Sequence, residues 1–291
     1  MVDKKEAQSR HTYIGVDIGG TNTRLGLFQS LDTSDFELMA KFPTSQSYEQ
    51  QMRGIIAALQ SRSPANIAGI GVSIAARITR DGRSVIVAPN LPQYIGKPFA
   101  LDLAQRFECP VRLAHDAVCG LLAEKKFGHL PYERCAYLTV STGTGAAIQL
   151  SKASLMLTSS IEIGHQLLDG NSRLCLCGQV GCLETFTGGR QIELRYGRSP
   201  ADITDSAFWE NFCDKLALGV VNLAMLTRLD AVALSGAIML HNPSLLVLLQ
   251  QKINAIIKGA AVHLELALLG ENAPLVGAVV LLAVPEDTIL H

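Results

Sequence analysis

The chain has 291 residues, 48% of them hydrophobic, and a formal net charge of -1. This length permits a large core in one domain or two, and two is the expected number. A charge so close to neutral excludes a polyanion such as nucleic acid as the expected partner.

The cysteines and the distribution of apolar residues indicate the cellular compartment of the protein. The chain has seven cysteines, at least three of which look like metal ligands, and it starts with a polar segment at residues 1–10. No signal segment is expected there, and no apolar run is long and uninterrupted enough to span a bilayer. These features predict a protein of a reducing compartment, the cytoplasm, without a membrane partner.

Strand and helix patterns alternate along the chain. Apolar runs predict strands at residues 13–17, 24–28, 67–74, 111–114, 136–140, 146–150 and 231–234. Apolar residues at helical spacing predict helices at residues 48–60, 99–107, 117–127, 208–226 and 244–257. Such alternation is typical of α/β layers, in which helices cover mixed sheets.

The first two predicted strands are joined by a glycine turn. It contains Asp17, Gly19, Gly20 and Thr21. Two adjacent glycines let backbone N–H groups approach a phosphate closely. Asp17, at the strand end, could reach a magnesium ion directly or through water. An ordinary hairpin turn is the alternative, since Gly-Gly is common in such turns.

A second glycine turn follows a later strand and resembles the first. It contains Ser141, Thr142, Gly143, Thr144 and Gly145. Its hydroxyls and backbone donors suit a phosphate, so the two turns together suit the two phosphate loops of an ATP clamp. Neither turn matches the Gly-x4-Gly-Lys-Ser/Thr loop, so a Walker-type nucleotide site is not supported.

Asp116 stands between the two glycine turns, after a strand and before a helix. Alone, it would be interpreted as the N-cap of that helix, a position that Asp favours. Its place between two phosphate turns favours a carboxylate that faces an interdomain cleft.

One imidazole and three thiols lie close together in the sequence: His165, Cys175, Cys177 and Cys182. This set suits a tetrahedral zinc ion with no open position, which would hold a loop still and do no chemistry itself. Inert buried cysteines are one alternative. A nucleic-acid-binding zinc finger is another, but the spacing and the non-basic neighbours argue against it. Glu162 and Glu184 flank the cluster and could be fixed by it in one pocket.

These motifs together resemble the ROK family (repressor, open reading frame, kinase) of sugar kinases in the actin-like ATPase superfamily. The resemblance runs from Ile14 to about Leu282. The two glycine turns are similar to the two phosphate loops of the family, and the His/Cys cluster with its flanking glutamates matches the family's zinc and sugar signature. Residues 234–236 resemble the adenosine-binding segment, and residues 274–278 resemble the opening of the last helix.

The resemblance implies an α/β fold, the two-lobed actin-like ATPase (ribonuclease H-like) fold of sugar kinases, with an interdomain cleft for the nucleotide. Residues 1–115 would form the N-terminal α/β lobe, with a C-terminal helix at 275–291 packing back on it. Residues 116–274 would form the C-terminal α/β lobe, which carries the zinc site.

The resemblance also implies roles for individual residues. Asp116 would be the catalytic base. Sugar would be bound by Arg77, Asn90, His115, Asp116, Glu162, His165 and Glu184. ATP and Mg²⁺ would be bound by Asp17, Gly19, Gly20, Thr21, Thr142, Gly143, Thr144, Gly145 and Gly236. A structural Zn²⁺ would be bound by His165, Cys175, Cys177 and Cys182.

The implied activity is ATP-dependent phosphorylation of a hydroxyl, the 6-hydroxyl, of a hexose or N-acetylhexosamine. Segments 123–128 and 218–222 are most similar to the N-acetylmannosamine kinases. A homodimer is the expected assembly. A repressor would carry an N-terminal helix-turn-helix, and the first strand, near Tyr13, leaves no room for one.

Several sugar-side positions depart from the family pattern. His115 stands where relatives have Asn, and an imidazole can titrate near neutrality. Segment 73–77 lacks the usual glycine, segment 155–160 replaces a glycine-rich approach to Glu162, and Ala237 replaces a third glycine. These departures indicate an unusual sugar or a weakened activity. A catalytically weak or inactive sugar-binding or regulatory protein is therefore the alternative.

Overall fold

The computed structural model describes residues 11–62, 66–153, 155–259 and 261–291. In chain order, the strands of these ranges are β1 (Thr12–Ile18), β2 (Asn22–Phe28), β3 (Glu37–Pro43), β4 (Ile67–Ile74), β5 (Arg77–Ile78), β6 (Val85–Val87), β7 (Val111–His115), β8 (Arg134–Val140), β9 (Thr144–Lys152), β10 (Leu155–Ile161), β11 (Ala231–Ser235), β12 (His263–Leu266) and β13 (Ile289–Leu290). The α-helices of the same ranges are α1 (Tyr48–Arg62), α2 (Phe99–Phe107), α3 (Asp116–Phe127), α4 (Glu184–Thr187), α5 (Gly189–Tyr196), α6 (Ser206–Thr227), α7 (Ala237–His241), α8 (Ser244–Ile256) and α9 (Ala273–Val280).

The chain divides into two compact units, each with its own sheet and core. Unit 1 contains the described residues up to Cys119, together with Leu275–Val284 and His291. Unit 2 contains Gly120–Pro274 and Pro285–Leu290. The sequence predicted one terminal helix over residues 275–291. The observed helix α9 ends at Val280, and the later strand β13 pairs with β10 in unit 2.

The main sheet of unit 1 has the strand order β3-β2-β1-β4-β7 among the described residues. β1 and β2 form an antiparallel hairpin, whereas β1, β4 and β7 run parallel. β4 is almost continuously apolar and is buried over most of its length, as expected for a central parallel strand with both faces covered. The parallel register brings the carboxyl ends of β1, β4 and β7 to one edge.

Helix α9 packs tightly within unit 1 at two glycines. A Cβ atom on Gly71 of β4 would lie 1.7 Å from the Ala278 carbonyl oxygen of α9. A Cβ atom on Gly277 of α9 would lie 1.7 Å from the Cys119 carbonyl oxygen. Only glycine permits these approaches, because any side chain would overlap with backbone atoms. Helix α9 is therefore part of the core of unit 1.

The sheet of unit 2 has the order β12-β11-β8-β9-β10-β13 within the described ranges. β8, β11 and β12 are parallel, and β8, β9 and β10 form an antiparallel meander. Helices α6 and α8 contribute buried side chains, among them Leu216 and Leu249, to a core that includes Leu138 and Leu234 of the sheet. Asp205 caps α6 by accepting a hydrogen bond from the Ala207 N–H.

Each strand and helix predicted from the sequence occupies a corresponding element, with ends within two residues. The sequence pattern did not predict β3, β5, β6, β10, β12, β13, α4, α5 or α7. Segment 155–160, interpreted from the sequence as a shortened approach to Glu162, is most of strand β10. In the described part of the chain, no helix combines the length and the apolar character needed to cross a membrane.

Candidate functional site

The carboxyl edge of the unit 1 sheet collects the candidate residues of that unit. Ile18, Ile74 and His115 are register partners at the ends of β1, β4 and β7. The first glycine turn therefore begins beside the loop after β4 and beside Asp116. In open α/β sheets, ligands bind outside the carboxyl ends of the strands, so this edge is where a site is expected.

Asp17 is held on both of its carboxylate oxygens. Its Oδ2 accepts hydrogen bonds from Arg24, at 2.7 Å from Nη2 and 3.2 Å from Nε. Its Oδ1 accepts a hydrogen bond from Ser73 Oγ at 2.9 Å. Burial raises the pKa of Asp17, and the positive charge of Arg24 is the main opposing influence. The sequence argument missed Arg24 and Ser73, which fix this carboxylate.

Thr44 holds the first glycine turn in shape. Its hydroxyl donates to the Gly19 carbonyl at 2.8 Å, and its N–H donates to the Thr21 carbonyl at 2.9 Å. A Cβ atom on Gly20 would lie 3.2 Å from the Cβ atom of Asn90. The structure thus brings Asn90, a predicted sugar ligand, beside the predicted phosphate turn. The sequence pattern did not indicate Thr44.

Asp116 begins α3, and its carboxylate is oriented by its neighbours. Oδ1 accepts the Ala117 N–H at 2.7 Å and lies 2.8 Å from His115 Nδ1. The Ala117 N–H also donates to His115 Nδ1, at 3.1 Å. Asp116 is the first residue of α3, and these contacts leave Oδ2 as the second oxygen of its carboxylate. Its role as a helix cap stays a prediction.

Arg77 follows the carboxyl end of β4, in the short strand β5. It is exposed and pairs with Val87 in the small antiparallel sheet of β5 and β6. Its role as a sugar ligand stays a prediction.

In unit 2, the second glycine turn and Gly236 share the carboxyl edge of the parallel strands β8 and β11. Gly236 has φ of +85°, and a Cβ atom there would lie 2.4 Å from the Val140 carbonyl oxygen at the end of β8. The turn at 141–145 follows Val140 directly. The predicted adenosine segment and the predicted second phosphate turn are therefore adjacent.

Glu184 lies against the second glycine turn. Its Oε2 accepts the Thr144 N–H at 2.8 Å. A Cβ atom on Gly143 would lie 2.8 Å from the same oxygen, and one on Gly164 would lie 3.3 Å from it. Gly164 precedes His165, so the structure brings Glu184 to both the turn and the segment that starts the His/Cys cluster.

His165 lies between a carboxylate and a thiol. Its Nε2 lies 4.0 Å from Glu162 Oε2, and its Nδ1 lies 3.9 Å from Cys175 Sγ. One ring nitrogen can therefore face the cluster while the other faces the glutamate. This arrangement lets a metal-bound imidazole present its second nitrogen to a ligand.

The His/Cys cluster is compact enough to hold one metal ion. The candidate ligand atoms of its four residues all lie within 4.8 Å of one another, and Cys177 Sγ lies 3.7 Å from Cys182 Sγ. A tetrahedral zinc ion with zinc–sulfur distances of ~2.3 Å would have sulfur–sulfur edges of about 3.8 Å. Gln191 donates to Cys175 Sγ at 3.3 Å, an outer contact of the kind that orients metal ligands. The sequence pattern did not indicate Gln191.

Known proteins resemble this chain over different lengths. A xylose repressor of Caldicellulosiruptor bescii is 28% identical over 188 residues, which cover 62% of this chain and 47% of the repressor. This chain thus spans about half the length of that relative. An N-acetyl-D-glucosamine kinase of Pectobacterium atrosepticum is 28% identical over 256 residues, which cover 81% of this chain and 82% of the kinase.

Solved structures confirm the fold predicted from the sequence. A ROK family glucokinase of Streptomyces griseus, solved with glucose and AMPPNP, matches with a TM-score of 0.78 and 22% identity. The match covers 93% of this chain and 98% of the glucokinase. The α/β actin-like ATPase fold of the ROK sugar kinases is therefore the fold of this chain. The profile of the ROK family matches residues 13–284, and the chain belongs to that family.

Proposed function

We propose that this chain catalyses the ATP-dependent phosphorylation of a sugar hydroxyl, the 6-hydroxyl of a hexose or N-acetylhexosamine. The observation that carries the proposal is Asp116, whose carboxylate is oriented at the sheet edge that also carries Asp17 and the first glycine turn. The N-acetylglucosamine kinase and glucokinase among the similar proteins support the same activity.

Asp116 is the proposed general base. Its Oδ1 already accepts the Ala117 N–H and faces His115, so Oδ2 is the oxygen that would take the proton of the attacking sugar hydroxyl. A base positioned in this way typically contributes 10² to 10⁴-fold to the rate. His115 would help to keep the carboxylate plane in place.

The two glycine turns are the proposed phosphate-binding elements, with Gly236 beside the adenosine. Their backbone N–H groups would stabilise the charge on the transferring phosphoryl oxygens. Bound Mg²⁺ neutralises phosphate charge in such reactions. Because both oxygens of Asp17 already accept hydrogen bonds from Arg24 and Ser73, we propose that Asp17 binds the ion through its water shell.

Glu162, His165 and Glu184 are the proposed sugar ligands of unit 2, and Arg77, Asn90 and His115 are those of unit 1. Zinc held by the His/Cys cluster would fix the imidazole of His165 and the loop around it. We also propose that N-acetylmannosamine belongs in the substrate panel. The proposed assembly and location are a homodimer in the cytoplasm.

A coupled ADP-release assay with Mg²⁺ and ATP, run over hexoses and N-acetylhexosamines, tests the proposal. We expect sugar-dependent ADP release with at least one of these sugars, and mass spectrometry should find the product phosphorylated at the 6-position. ADP release that does not depend on any sugar in the panel would refute the kinase proposal.

A sugar-binding regulatory protein with weak or no turnover is the second candidate. Two observations favour it: Asp17 is fully engaged by Arg24 and Ser73, and one oxygen of Asp116 is engaged by the Ala117 N–H at the start of α3. The relation to a xylose repressor points in the same direction. Calorimetric binding of a sugar that is not phosphorylated would support this candidate over the kinase.

A further inference from the structure

The segment between the His/Cys cluster and α5 is bonded to the second glycine turn on both sides. This segment, residues 183–190, is called here the clamp segment. It begins directly after Cys182, the last cysteine of the cluster. The Cys182 carbonyl accepts a hydrogen bond from the Thr185 hydroxyl at 2.8 Å and one from Asn171 Nδ2 at 3.0 Å. The start of the clamp segment is thus fixed to the cluster.

On the carbonyl side of the turn, the clamp segment supplies donors. The Gly189 N–H donates to the Ser141 carbonyl at 2.8 Å, and the Arg190 N–H donates to the Thr142 carbonyl at 3.0 Å. These are first-turn N–H groups of α5, which have no partner within their own helix. Two consecutive carbonyls of the glycine turn therefore accept the N–H groups that begin α5. The same two hydrogen bonds fix these carbonyls in place.

On the amide side, the clamp segment supplies an acceptor and a hydroxyl. Glu184 Oε2 accepts the Thr144 N–H at 2.8 Å. The Thr144 and Thr187 hydroxyls lie 2.7 Å apart, and either can donate. Thr187 is fully buried and Thr144 nearly so. A buried hydroxyl pair of this kind has no water to replace a lost partner.

The fit between the two segments leaves no room for adjustment. A Cβ atom on Gly189 would lie 2.7 Å from the Ser141 carbonyl oxygen, and one on Gly143 would lie 2.8 Å from Glu184 Oε2. Both distances are shorter than normal contacts of a Cβ atom. A shift of the clamp segment must therefore move the turn.

We propose that the clamp segment holds the second glycine turn in its phosphate-binding shape, and that Thr187 is a positioning residue for the nucleotide. This inference rests on the proposed function, because it assigns the turn to a phosphate. It makes the His/Cys cluster an anchor for the nucleotide side as well as for the sugar side. Thr187 acts through Thr144 and does not itself touch the nucleotide.

The test is calorimetric binding of AMPPNP with Mg²⁺ to the full chain. Thr187→Val keeps the side-chain shape and removes the hydroxyl, which also donates to the Leu183 carbonyl at 3.3 Å. Because the contact with Thr144 is lost, we expect a Kd for AMPPNP about 2- to 10-fold higher. Thr187→Ser restores the hydroxyl and should bind within about twofold of the wild type. The sugar Kd should not change in either variant.

Thr227→Val is the matched control. Thr227 donates to the Leu223 carbonyl at 2.7 Å near the end of α6, so this variant loses a similar bond away from the turn, and it should bind AMPPNP like the wild type. If Thr187→Val does not fold, Gly189→Ala replaces it, because the added Cβ would displace Ser141 and should also weaken AMPPNP binding.

Three results would overturn the inference. They are unchanged AMPPNP binding in Thr187→Val, no recovery in Thr187→Ser, and an equal loss in Thr227→Val. Failure of the proposed function would give a different result: the chain would bind AMPPNP but phosphorylate no sugar. The AMPPNP affinities of the variants would then still decide the role of Thr187. A wild-type chain that does not bind AMPPNP refutes both proposals.

Discussion

Asp116→Asn separates the two roles that the structure gives to Asp116. The amide oxygen of Asn can still accept the Ala117 N–H, now 2.7 Å from Oδ1. The variant therefore keeps this hydrogen bond at the start of α3. It loses the basic oxygen that would take the proton of the sugar hydroxyl.

The two losses differ in size. Loss of a general base costs about 10² to 10⁴ in turnover, or ~2.7 to 5.4 kcal/mol in the activation free energy. The free energy of unfolding should fall by about 1 kcal/mol or less, because the change affects one close polar contact, at 2.8 Å between Oδ1 and His115 Nδ1. Turnover should thus collapse in a protein that is still folded.

The assay is ADP release at saturating sugar and ATP, together with urea unfolding and calorimetric sugar binding. Asp205→Asn is the matched control, since Asp205 caps α6 through the Ala207 N–H at 2.9 Å and has no proposed catalytic role. We expect the control to keep its turnover and Asp116→Asn to lose it. Turnover of Asp116→Asn within a factor of about three of the wild type would refute the base and leave Asp116 with a structural role at the start of α3.

Four further predictions follow from the same structure. Metal analysis under conditions that spare thiols should find one zinc per chain, and Cys177→Ser should lower that content; an absence of zinc would contradict the predicted site. Burial raises the pKa of Glu124 above its ordinary value of 4.5, so the folded state binds this proton more tightly. The contribution of Glu124 to the free energy of unfolding should be fully present below pH 4.5. It should be lost as the pH rises through the pKa that Glu124 has in the folded state. Glu124→Gln should flatten the fall in the free energy of unfolding over this pH range. An unchanged fall with pH would show that other groups cause it. Gly277→Ala should lower the free energy of unfolding by about 3 kcal/mol, because the new Cβ would overlap with the Cys119 carbonyl; urea unfolding like that of the wild type would show that α9 can shift. His115→Asn should change the ranking of sugars in the ADP-release panel, and an unchanged ranking and pH profile would show that His115 does not set specificity.

Strands with a continuous apolar run could be predicted from the sequence, whereas more polar strands could not. β4 and β11 are almost wholly apolar and buried, so their pattern does not depend on which neighbours they pair with. β10 is different, since three of its 7 residues are the polar Thr158, Ser159 and Ser160. It is a strand because β9 and β13 pair with it on either side, and that pairing is a tertiary effect that local preference does not contain.

The candidate site divides in the same way. The spacing of the His/Cys cluster along the chain predicted a set of ligand atoms that the structure brings within 4.8 Å of one another. The partners of the charged residues were not predictable, because they come from distant positions. Ser73 is 56 residues from Asp17, and Thr144 is 40 residues from Glu184. Hydrogen bonds of this range follow from the sheet register, which a pattern of apolar residues does not specify.

The position of α9 in the core of unit 1 has a consequence for biosynthesis. The residues that pack against β1 and β4 leave the ribosome only after all of Gly120–Pro274 has been made. Chains fold during synthesis as their parts become available, and contacts between distant positions form slowly. The nascent N-terminal sheet must therefore wait, with Gly15 and Gly71 uncovered, while Gly120–Pro274 is synthesised. Chaperones that shield apolar surface would act on this chain mainly during that interval.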